Sequence, residues 1–191
     1  QLVNELAQSW WQRRHTFVGQ MIGVEQAVDQ AARLDGPICL LDMGDNVGGG
    51  SPGDGTEIAH ALHRRTLGPS FVCLHDPEAV RQAQAAGIGG SLHLAMGGKT
   101  DKLHGEPLDA DVTVRGMFDG RFEETQPRHG GITKFDQGPT AVVETPTGLT
   151  IMLTSRRMVP FSLRQLTSCG LDPARFRMLV AKGVHAPVAA Y

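Results

Sequence analysis

Residues 38–56 read ICLLDMGDNVGGGSPGDGT and contain three features in order. The first is a short apolar run at 38–43, which is typical of a strand buried on both faces of a parallel sheet. The second is a loop with six glycines in the twelve residues 44–55. The third is a helix predicted over 56–65, because apolar residues recur there at helical spacing. Strand, loop and helix in this order indicate an α/β domain.

The same order occurs once more along the chain. A second buried strand is predicted over 71–75, and Asp76-Pro77 begins a helix that ends at Gly87. We expect the two strands to form a parallel pair inside a βαβα unit.

The chain beyond Lys99 is predicted to be rich in strands. The strands are expected over 111–118, 139–144, 149–154 and 176–181, with hairpin turns at Asp119-Gly120 and Thr147-Gly148 and a short helix over 162–168. The predicted fold class is α/β: a mixed β-sheet with flanking helices, in which an N-terminal βαβα unit is followed by a strand-rich half.

Residues 1–35 are predicted to be a helical segment ahead of this domain. Apolar residues recur at helical spacing in two runs, the second over 24–34. The chain opens with Gln1 and has no signal-peptide pattern. We therefore expect 1–35 to link the α/β domain at 36–191 to an N-terminal domain that these residues do not include.

Charge and cysteine content exclude several classes of function. The 18 basic and 20 acidic residues include no long basic run, which argues against a dedicated nucleic-acid or membrane-surface binder. No stretch is apolar over about 18 residues, so no membrane span is predicted. The three cysteines are far apart and odd in number, which favours free thiols in a reducing compartment and hence a cytoplasmic protein.

The glycine-rich loop does not match the known phosphate-binding loops. Thr56 and Glu57 stand where a Walker loop requires Lys and then Ser or Thr. Its glycines meet the dinucleotide pattern G-x-G-x-x-G formally, but three carboxylates, Asp42, Asp45 and Asp54, would repel a pyrophosphate. With these acids the loop suits a cation, an amine or a hydroxyl-rich group better than an anion.

Asp45 and Asn46 are the best candidates in this loop for contact with a ligand, because they lie too early to cap the following helix. For Asp54 a structural role is favoured, since Asp54 and Glu57 have the spacing of a capping box. Backbone N–H groups beside these residues are a third candidate feature; they belong to Gly48, Gly49 and Gly50.

Charged or titratable side chains at predicted strand ends are further candidates. Lys99 follows a double glycine, and Lys182 and His185 follow the last strand. Ordinary solvation of loop residues explains all three equally well. The run 155–157, Ser-Arg-Arg, either binds a carboxylate through a guanidinium fork or is simply exposed. The histidines lack the spacing of a zinc motif, so no metal ligands are predicted.

Five segments of the sequence carry a family resemblance. They read DN-x-GGG-x-PGDGT at 45–56, DPEAV at 76–80, GGK at 97–99, LTSRR at 153–157 and V-x-KGVHAP at 180–187. Together, and in this order, they resemble the C-terminal region of the MlrC-like, or microcystinase C, family. The resemblance extends over nearly the whole chain.

This resemblance implies a zinc-dependent metallopeptidase that acts on small peptides. In the family an Asp and two His of the N-terminal domain hold the zinc, so no metal ligand is expected in this chain, and the chain alone is expected to be inactive. Asp45 and Asn46 would contact substrate, with Lys99, Lys182 and His185 as weaker candidates. The expected partners are the N-terminal domain of the same full-length chain and a small peptide, with a homo-oligomer also possible.

Two other classes of function remain open on the sequence alone. The same loop fits a module that binds a small molecule or nucleotide without hydrolysing it. The domain also fits a purely structural role, in which it packs against a catalytic domain.

Overall fold

The computed structural model describes residues 1–19, 21–126 and 129–191, and the strands of this part form one large sheet and one small sheet. The helices are α1 (Leu2–Gln12), α2 (Val24–Ala31), α3 (Glu57–Arg65), α4 (Pro77–Ala86) and α5 (Arg164–Thr167). The strands are β1 (Ile38–Leu41), β2 (Ser70–His75), β3 (Ser91–Met96), β4 (Leu108–Phe118), β5 (Arg121–Glu123), β6 (Lys134–Asp136), β7 (Thr140–Glu144), β8 (Leu149–Thr154) and β9 (Met178–Ala181).

The large sheet has seven strands in the order β1-β9-β2-β8-β7-β4-β3. The first four are parallel to one another, and the pairs from β8 to β3 are antiparallel. This mixed sheet with flanking helices confirms the predicted fold class. Because the four parallel strands end at the same edge, the loops that follow them meet there.

Helices cover one face of the sheet, and a shorter segment covers the other. On the first face α3 and α4 bury side chains such as Leu62 and Val80 against the strands. On the second face α5 and the chain after it pack Leu166 and Phe176 beside Phe71 of β2. None of the described helices is long and apolar enough to cross a bilayer.

The predicted N-terminal segment 1–35 has two parts that differ in packing. Val28 and Ala31 of α2 are buried in the main core, and Glu25 of α2 pairs with Arg65 of α3. By contrast, α1 has no buried residue. The link from 1–35 to a further domain, and the boundary at residue 36, stay predictions.

The expected pairing of the first two strands is wrong. β1 and β2 run parallel, but β9 lies between them and pairs with both. A crossover connection between parallel strands leaves room for a further strand. The local sequence of β1 or β2 does not identify the neighbour it takes.

A strand is present at 91–96 where none is predicted. This strand, β3, pairs with β4 at the end of the sheet. Leu94 and Met96 are buried, whereas Ser91 and His93 are exposed. The alternation typical of a half-buried strand is therefore present, enclosed between two glycine pairs.

The two predicted hairpin turns have different outcomes. Thr147-Gly148 joins the antiparallel pair β7 and β8, as predicted. Asp119-Gly120 is not a hairpin turn, because the chain continues into β5, which pairs with β6 rather than with β4. Gly120 has a φ of +76°, and an added Cβ would collide with the Gly138 carbonyl. Gly120 therefore turns the chain from β4 into the small β5–β6 sheet instead of reversing it into a hairpin.

Candidate functional site

The loops at the carboxyl ends of the parallel strands converge on residues 42–56, which we call the glycine loop. Asp42 follows β1 and Lys182 follows β9, and their side chains are 3.0 Å apart from Nζ to Oδ2. The N–H of His75, the last residue of β2, donates to the Gly53 carbonyl at 2.9 Å. The glycine loop is thus attached to the ends of three neighbouring strands.

Asp45 shapes the glycine loop from inside. Its side chain is buried, its Oδ1 accepts the Gly53 N–H at 2.7 Å, and its Oδ2 accepts the Gly55 N–H at 2.7 Å. A Cβ added at position 55 would lie 2.9 Å from Oδ2. Glycine is required there because the loop backbone closes directly on the carboxylate.

Lys182 neutralises two acids of the loop. It is 5 % exposed, and its Nζ lies 2.8 Å from Asp45 Oδ2, 3.0 Å from Asp42 Oδ2 and 2.6 Å from the Gly55 carbonyl. Burial by itself would lower the pKa of Lys182, but the two carboxylates raise it overall. Burial would likewise raise the pKa of Asp45, but Lys182 and the two loop N–H groups lower it overall. Both groups therefore stay charged.

These contacts give Asp45 and Lys182 a positioning role. Both oxygens of Asp45 and the ammonium of Lys182 are already engaged within the protein. A buried pair of this kind fixes the path of the backbone that surrounds it. The predicted contacts of Asp45 and Lys182 with substrate stay predictions.

Asn46 carries one of the unpartnered polar groups of the glycine loop, and its predicted contact with substrate stays a prediction. Its backbone carbonyl accepts the N–H groups of Gly49 at 2.9 Å and Ser51 at 3.2 Å. Within residues 1–19, 21–126 and 129–191 its half-buried amide has no hydrogen-bond partner. A Cβ at Gly49 would lie 3.0 Å from the amide nitrogen, and one at Gly48 would lie 3.4 Å from the amide oxygen. Because both positions are glycines, no neighbouring side chain covers the Asn46 amide.

The N–H groups of the three consecutive glycines are not equivalent. The Gly49 N–H donates to the Asn46 carbonyl, and the Gly50 N–H donates to the Val47 carbonyl at 3.0 Å. The Gly48 N–H makes no bond to any residue of the described ranges. A ligand at the loop therefore has the Asn46 amide and the Gly48 N–H available, and the predicted binding role of this backbone stays a prediction.

Asp54 does not cap α3 as predicted. Thr56 occupies the N-cap, and no side chain accepts a bond from the first turn. Instead Asp54 Oδ2 accepts the N–H groups of Lys99 and Thr100 and the Thr100 hydroxyl, each at 2.9 Å. Asp54 therefore joins the glycine loop to residues 97–100. The capping-box spacing cannot reveal this role, because the donors come from a distant loop.

Neither Lys99 nor His185 contacts the Asn46 amide among the described residues. The Lys99 ammonium pairs with Asp76 at 3.0 Å and with Glu78 at 3.3 Å, at the start of α4. His185 is exposed just before the last 3₁₀ turn, and no contact in the described part of the chain joins it to the glycine loop. The substrate roles of Lys99 and His185 stay predictions.

Arg157 reaches the glycine loop from the segment after β8. Its Nη1 lies 3.5 Å from the Ser51 carbonyl oxygen, and the exposed guanidinium has no carboxylate partner among the residues described. The adjacent Arg156 pairs with Asp136 at 2.5 Å. Of the two arginines considered for carboxylate binding, Arg157 is the one placed beside the loop.

His104 is a titratable residue near the loop that the sequence patterns missed. Its Nδ1 lies 2.9 Å from Asp101 Oδ1, and its carbonyl accepts the Thr56 N–H at 2.9 Å. The hydrogen bond to Asp101 raises the pKa of the imidazole and outweighs burial, which would lower it. The spacing Asp-x-x-His at 101–104 is the signal that the sequence offers.

The donor groups of this chain do not fit a metal ion. In the part of the chain that the structure describes, no three His, Cys, Asp or Glu side chains are arranged to hold one. Asp42 and Asp45 already share Lys182. Burial raises the pKa of Cys39 to about 11 and that of Cys73 to about 12, so these thiols are protonated at neutral pH.

A groove of about 780 Å³ runs along β1 to the glycine loop, and we call it the β1 groove. Its polar lining comes from Asp42, Glu57 and His104, among others. Most of the lining is apolar and includes Met21, Ile22, Cys39, Leu41, Met43 and Ile58. The groove is thus lined both by Met21 and Ile22 of the N-terminal segment and by Asp42 and Asp45 of the glycine loop.

Comparison with known proteins identifies the family. The model of the family described as "MlrC C-terminus" matches residues 40–191. Microcystinase C from Sphingomonas sp is 32 % identical over 147 residues, which are 76 % of this chain and 28 % of that protein. The crystal structure of a protein named "Putative metallopeptidase" from Mesorhizobium sp. BNC1 matches with a TM-score of 0.87 and 30 % identity.

The structural match covers 97 % of this chain and 37 % of the Mesorhizobium chain. The chain thus spans well under half the length of both relatives. The match of the family model and the similarity of both sequence and fold confirm the resemblance inferred from the five segments. This chain belongs to the MlrC C-terminal family.

Proposed function

We propose that this chain is the C-terminal domain of a longer zinc-dependent hydrolase of the metallopeptidase type, which acts on small peptides. Its family and its two named relatives support this proposal. The zinc, whose role is to activate water, belongs in this proposal to the remainder of the full-length chain. This chain supplies substrate contacts at the glycine loop.

The unpartnered Asn46 amide carries the proposal. A peptide bond offers one N–H and one C=O, and an Asn amide offers the complementary acceptor and donor. A partly buried amide without a partner gains a hydrogen bond when such a ligand arrives. The free Gly48 N–H lies two residues further along and is a second donor for a substrate carbonyl.

Asp45 and Lys182 support this contact indirectly in the proposal. Their buried bonds keep the loop in one conformation before substrate arrives, so little ordering entropy is lost on binding. Arg157, beside Ser51, is suited to a terminal carboxylate of a peptide. Positioned polar groups of this type orient a substrate relative to a separate reaction centre.

The proposal extends to the cellular setting of the protein. The three cysteines are unpaired, which fits a reducing cytoplasm. The chain alone is expected to have no peptidase activity and no tight zinc site, because the proposed reaction centre lies elsewhere in the full-length chain. Metal analysis of the purified chain tests the second expectation, and one stoichiometric zinc would contradict it.

The test of the proposed role is Asn46→Ala in the full-length protein. We expect kcat/KM for a panel of linear tetrapeptides to fall about two- to thirteenfold, which corresponds to the loss of one neutral hydrogen bond of about 0.5–1.5 kcal/mol. Zinc content and melting temperature should remain unchanged. Gln84→Ala is the matched control, since Gln84 carries an exposed side-chain amide on α4, outside the glycine loop, that likewise makes no bond to the described residues.

Each alternative gives a different result in this experiment. Unchanged hydrolysis by Asn46→Ala would favour a purely structural domain. Loss of zinc would place Asn46 at the metal. Micromolar binding of NAD or ATP by calorimetry would favour a nucleotide-binding module and contradict the charge argument against a pyrophosphate.

A further inference from the structure

Large apolar side chains are exposed unevenly over this protein. Fifteen of them are exposed among the described residues, and ten of these lie within the first 34 positions. The ten are Leu2, Val3, Leu6, Trp10, Trp11, Phe17, Val18, Met21, Ile22 and Leu34. Exposed apolar side chains concentrated in one segment indicate an interaction surface, because large apolar areas rarely face water without a partner.

Helix α1 accounts for much of this area. Leu2, Leu6 and Trp10 are spaced four residues apart and share one face of the helix. None of its residues is buried, and Trp10 and Trp11 are 69 % and 68 % exposed. The helix has the apolar stripe of a packed helix, but no neighbouring element among the described residues buries this stripe.

The outer edge of β1 is open beside this area. Ile38 and Asp42 donate their N–H groups toward β9, to the Arg177 and Ala181 carbonyls at 2.9 Å each. Successive N–H groups of a strand point to opposite sides, so those of Cys39 and Leu41 face away from β9. β1 ends the sheet order among the described strands. An open edge next to apolar side chains is a template for another strand.

The segment that follows α1 lies at the open edge of β1. Met21 and Ile22 are exposed, follow α1 in sequence and line the β1 groove together with Cys39 and Leu41. We call the exposed apolar residues of 1–19 and 21–22 together with the β1 groove the docking surface. It leads directly to Asp42 and the glycine loop.

We propose that the docking surface holds the N-terminal part of the full-length polypeptide, and that an extended segment of that part accepts the outward N–H groups of Cys39 and Leu41. The relatives indicate this occupant: the family model is that of a C-terminus, and the chain fills 28 % of one relative and 37 % of the other. The inference rests on the proposed function only in assigning the chain to a longer protein. It places the docked part beside the glycine loop.

Amide hydrogen exchange of the full-length protein tests this proposal without measuring activity or zinc. We expect the Cys39 and Leu41 amides to be protected to a similar degree as those of Ile38 and Asp42. Ile22→Asp, at a half-exposed position of the docking surface, should speed exchange at Cys39 and Leu41 at least tenfold. Exchange at Ile38 and Asp42 should not change, since their bonds to β9 remain.

The matched control is Ile88→Asp, because Ile88 is 69 % exposed and does not line the β1 groove. It should leave all four amides unchanged. Unprotected Cys39 and Leu41 in the wild-type full-length protein would overturn the proposal. Protection of these two amides that disappears when the protein is diluted would overturn the proposal as well, because it would show that a second copy of the protein covers the docking surface. Either result would leave the Asn46 experiment unaffected.

Discussion

Charged side chains are placed differently in the parallel and antiparallel halves of the sheet. At the end of the parallel strands, Lys182 and Asp45 form a buried pair. On the antiparallel strands β3 and β4, His93 lies between Asp109 and Asp111 at 2.9 Å from each, and all three are exposed. The ionic contacts are similarly short in the two places, but water competes for the charged groups only around His93, Asp109 and Asp111.

The difference follows from how each half is covered. Parallel strands are buried on both faces, so charges are admitted only at their ends, where loops enclose them. In β4, buried and exposed residues alternate, which puts Asp109 and Asp111 on the solvated face. Charges at the glycine loop therefore fix the backbone, whereas we expect charges on β3 and β4 to be substituted with little loss of stability. The following predictions test this contrast.

The largest effect is expected for Lys182→Met. This change keeps the volume of the side chain but leaves the buried Asp45 and the half-buried Asp42 without their cation. Removing one member of a buried pair costs about 3–5 kcal/mol. We expect a loss of this size in the free energy of unfolding, measured by urea denaturation of the purified chain.

Arg115→Met is the control for this comparison, because Arg115 of β4 pairs with Glu144 of β7 at 2.7 Å and the two side chains are 55 % and 37 % exposed. We expect a loss of about 1 kcal/mol or less from this pair. Equal losses in the two variants would show that burial does not separate the two kinds of site.

A smaller effect is expected for Gly55→Ala. The new Cβ would lie 2.9 Å from Asp45 Oδ2 and push the carboxylate away from Lys182. Overpacking of this kind costs about 1–3 kcal/mol, which urea denaturation can measure. Gly44→Ala is the matched control in the same loop, since its nearest contact would be 3.7 Å away. A similar loss from both changes would mean that the loop backbone disfavours any side chain, and that the Asp45 contact does not account for the requirement for glycine, since the entropy effect of Gly→Ala on the unfolded chain is stabilising.

Local signals in the sequence predicted much of the fold. Asp76-Pro77 marks the start of α4, and the structure confirms it with the Asp76 carboxylate bonded to the Ala79 N–H. The apolar run at 38–43 also predicts the strand β1, but the expectation that this strand is buried on both faces is wrong, because β1 lies at the edge of the sheet and all four of its residues are half-buried. These features depend on neighbours in sequence, so the sequence contains the evidence for them.

Features that depend on distant neighbours were not predictable. β9 lies between β1 and β2 through long connections that no local pattern specifies. The pairing of Lys182 with Asp45 depends on that placement, because it brings the ends of β1 and β9 together. The sequence therefore identifies Lys182 and Asp45 as candidate site residues, but it does not predict the ion pair between them.

The smallest effect is expected in the titration of two histidines, one from each half. Burial, followed by the charge of His60, lowers the pKa of His63 on α3. Hydrogen bonds to Asp111 and then Asp109 raise the pKa of His93. The ordinary value is about 6.5, so two-dimensional NMR of the imidazoles should find His63 below it and His93 above it.

The two shifts affect stability in opposite directions with pH. His93 binds its proton more tightly when folded, so its contribution is present below pH of about 6.5 and is lost as pH rises through its higher folded pKa. His63 disfavours the charged form when folded, so its contribution is lost as pH falls below about 6.5. Asp111→Asn should lower the pKa of His93 and leave that of His63 unchanged. A shift at His63 as well would mean that the two halves of the sheet are electrostatically coupled and that the solvated face is not independent of the parallel half.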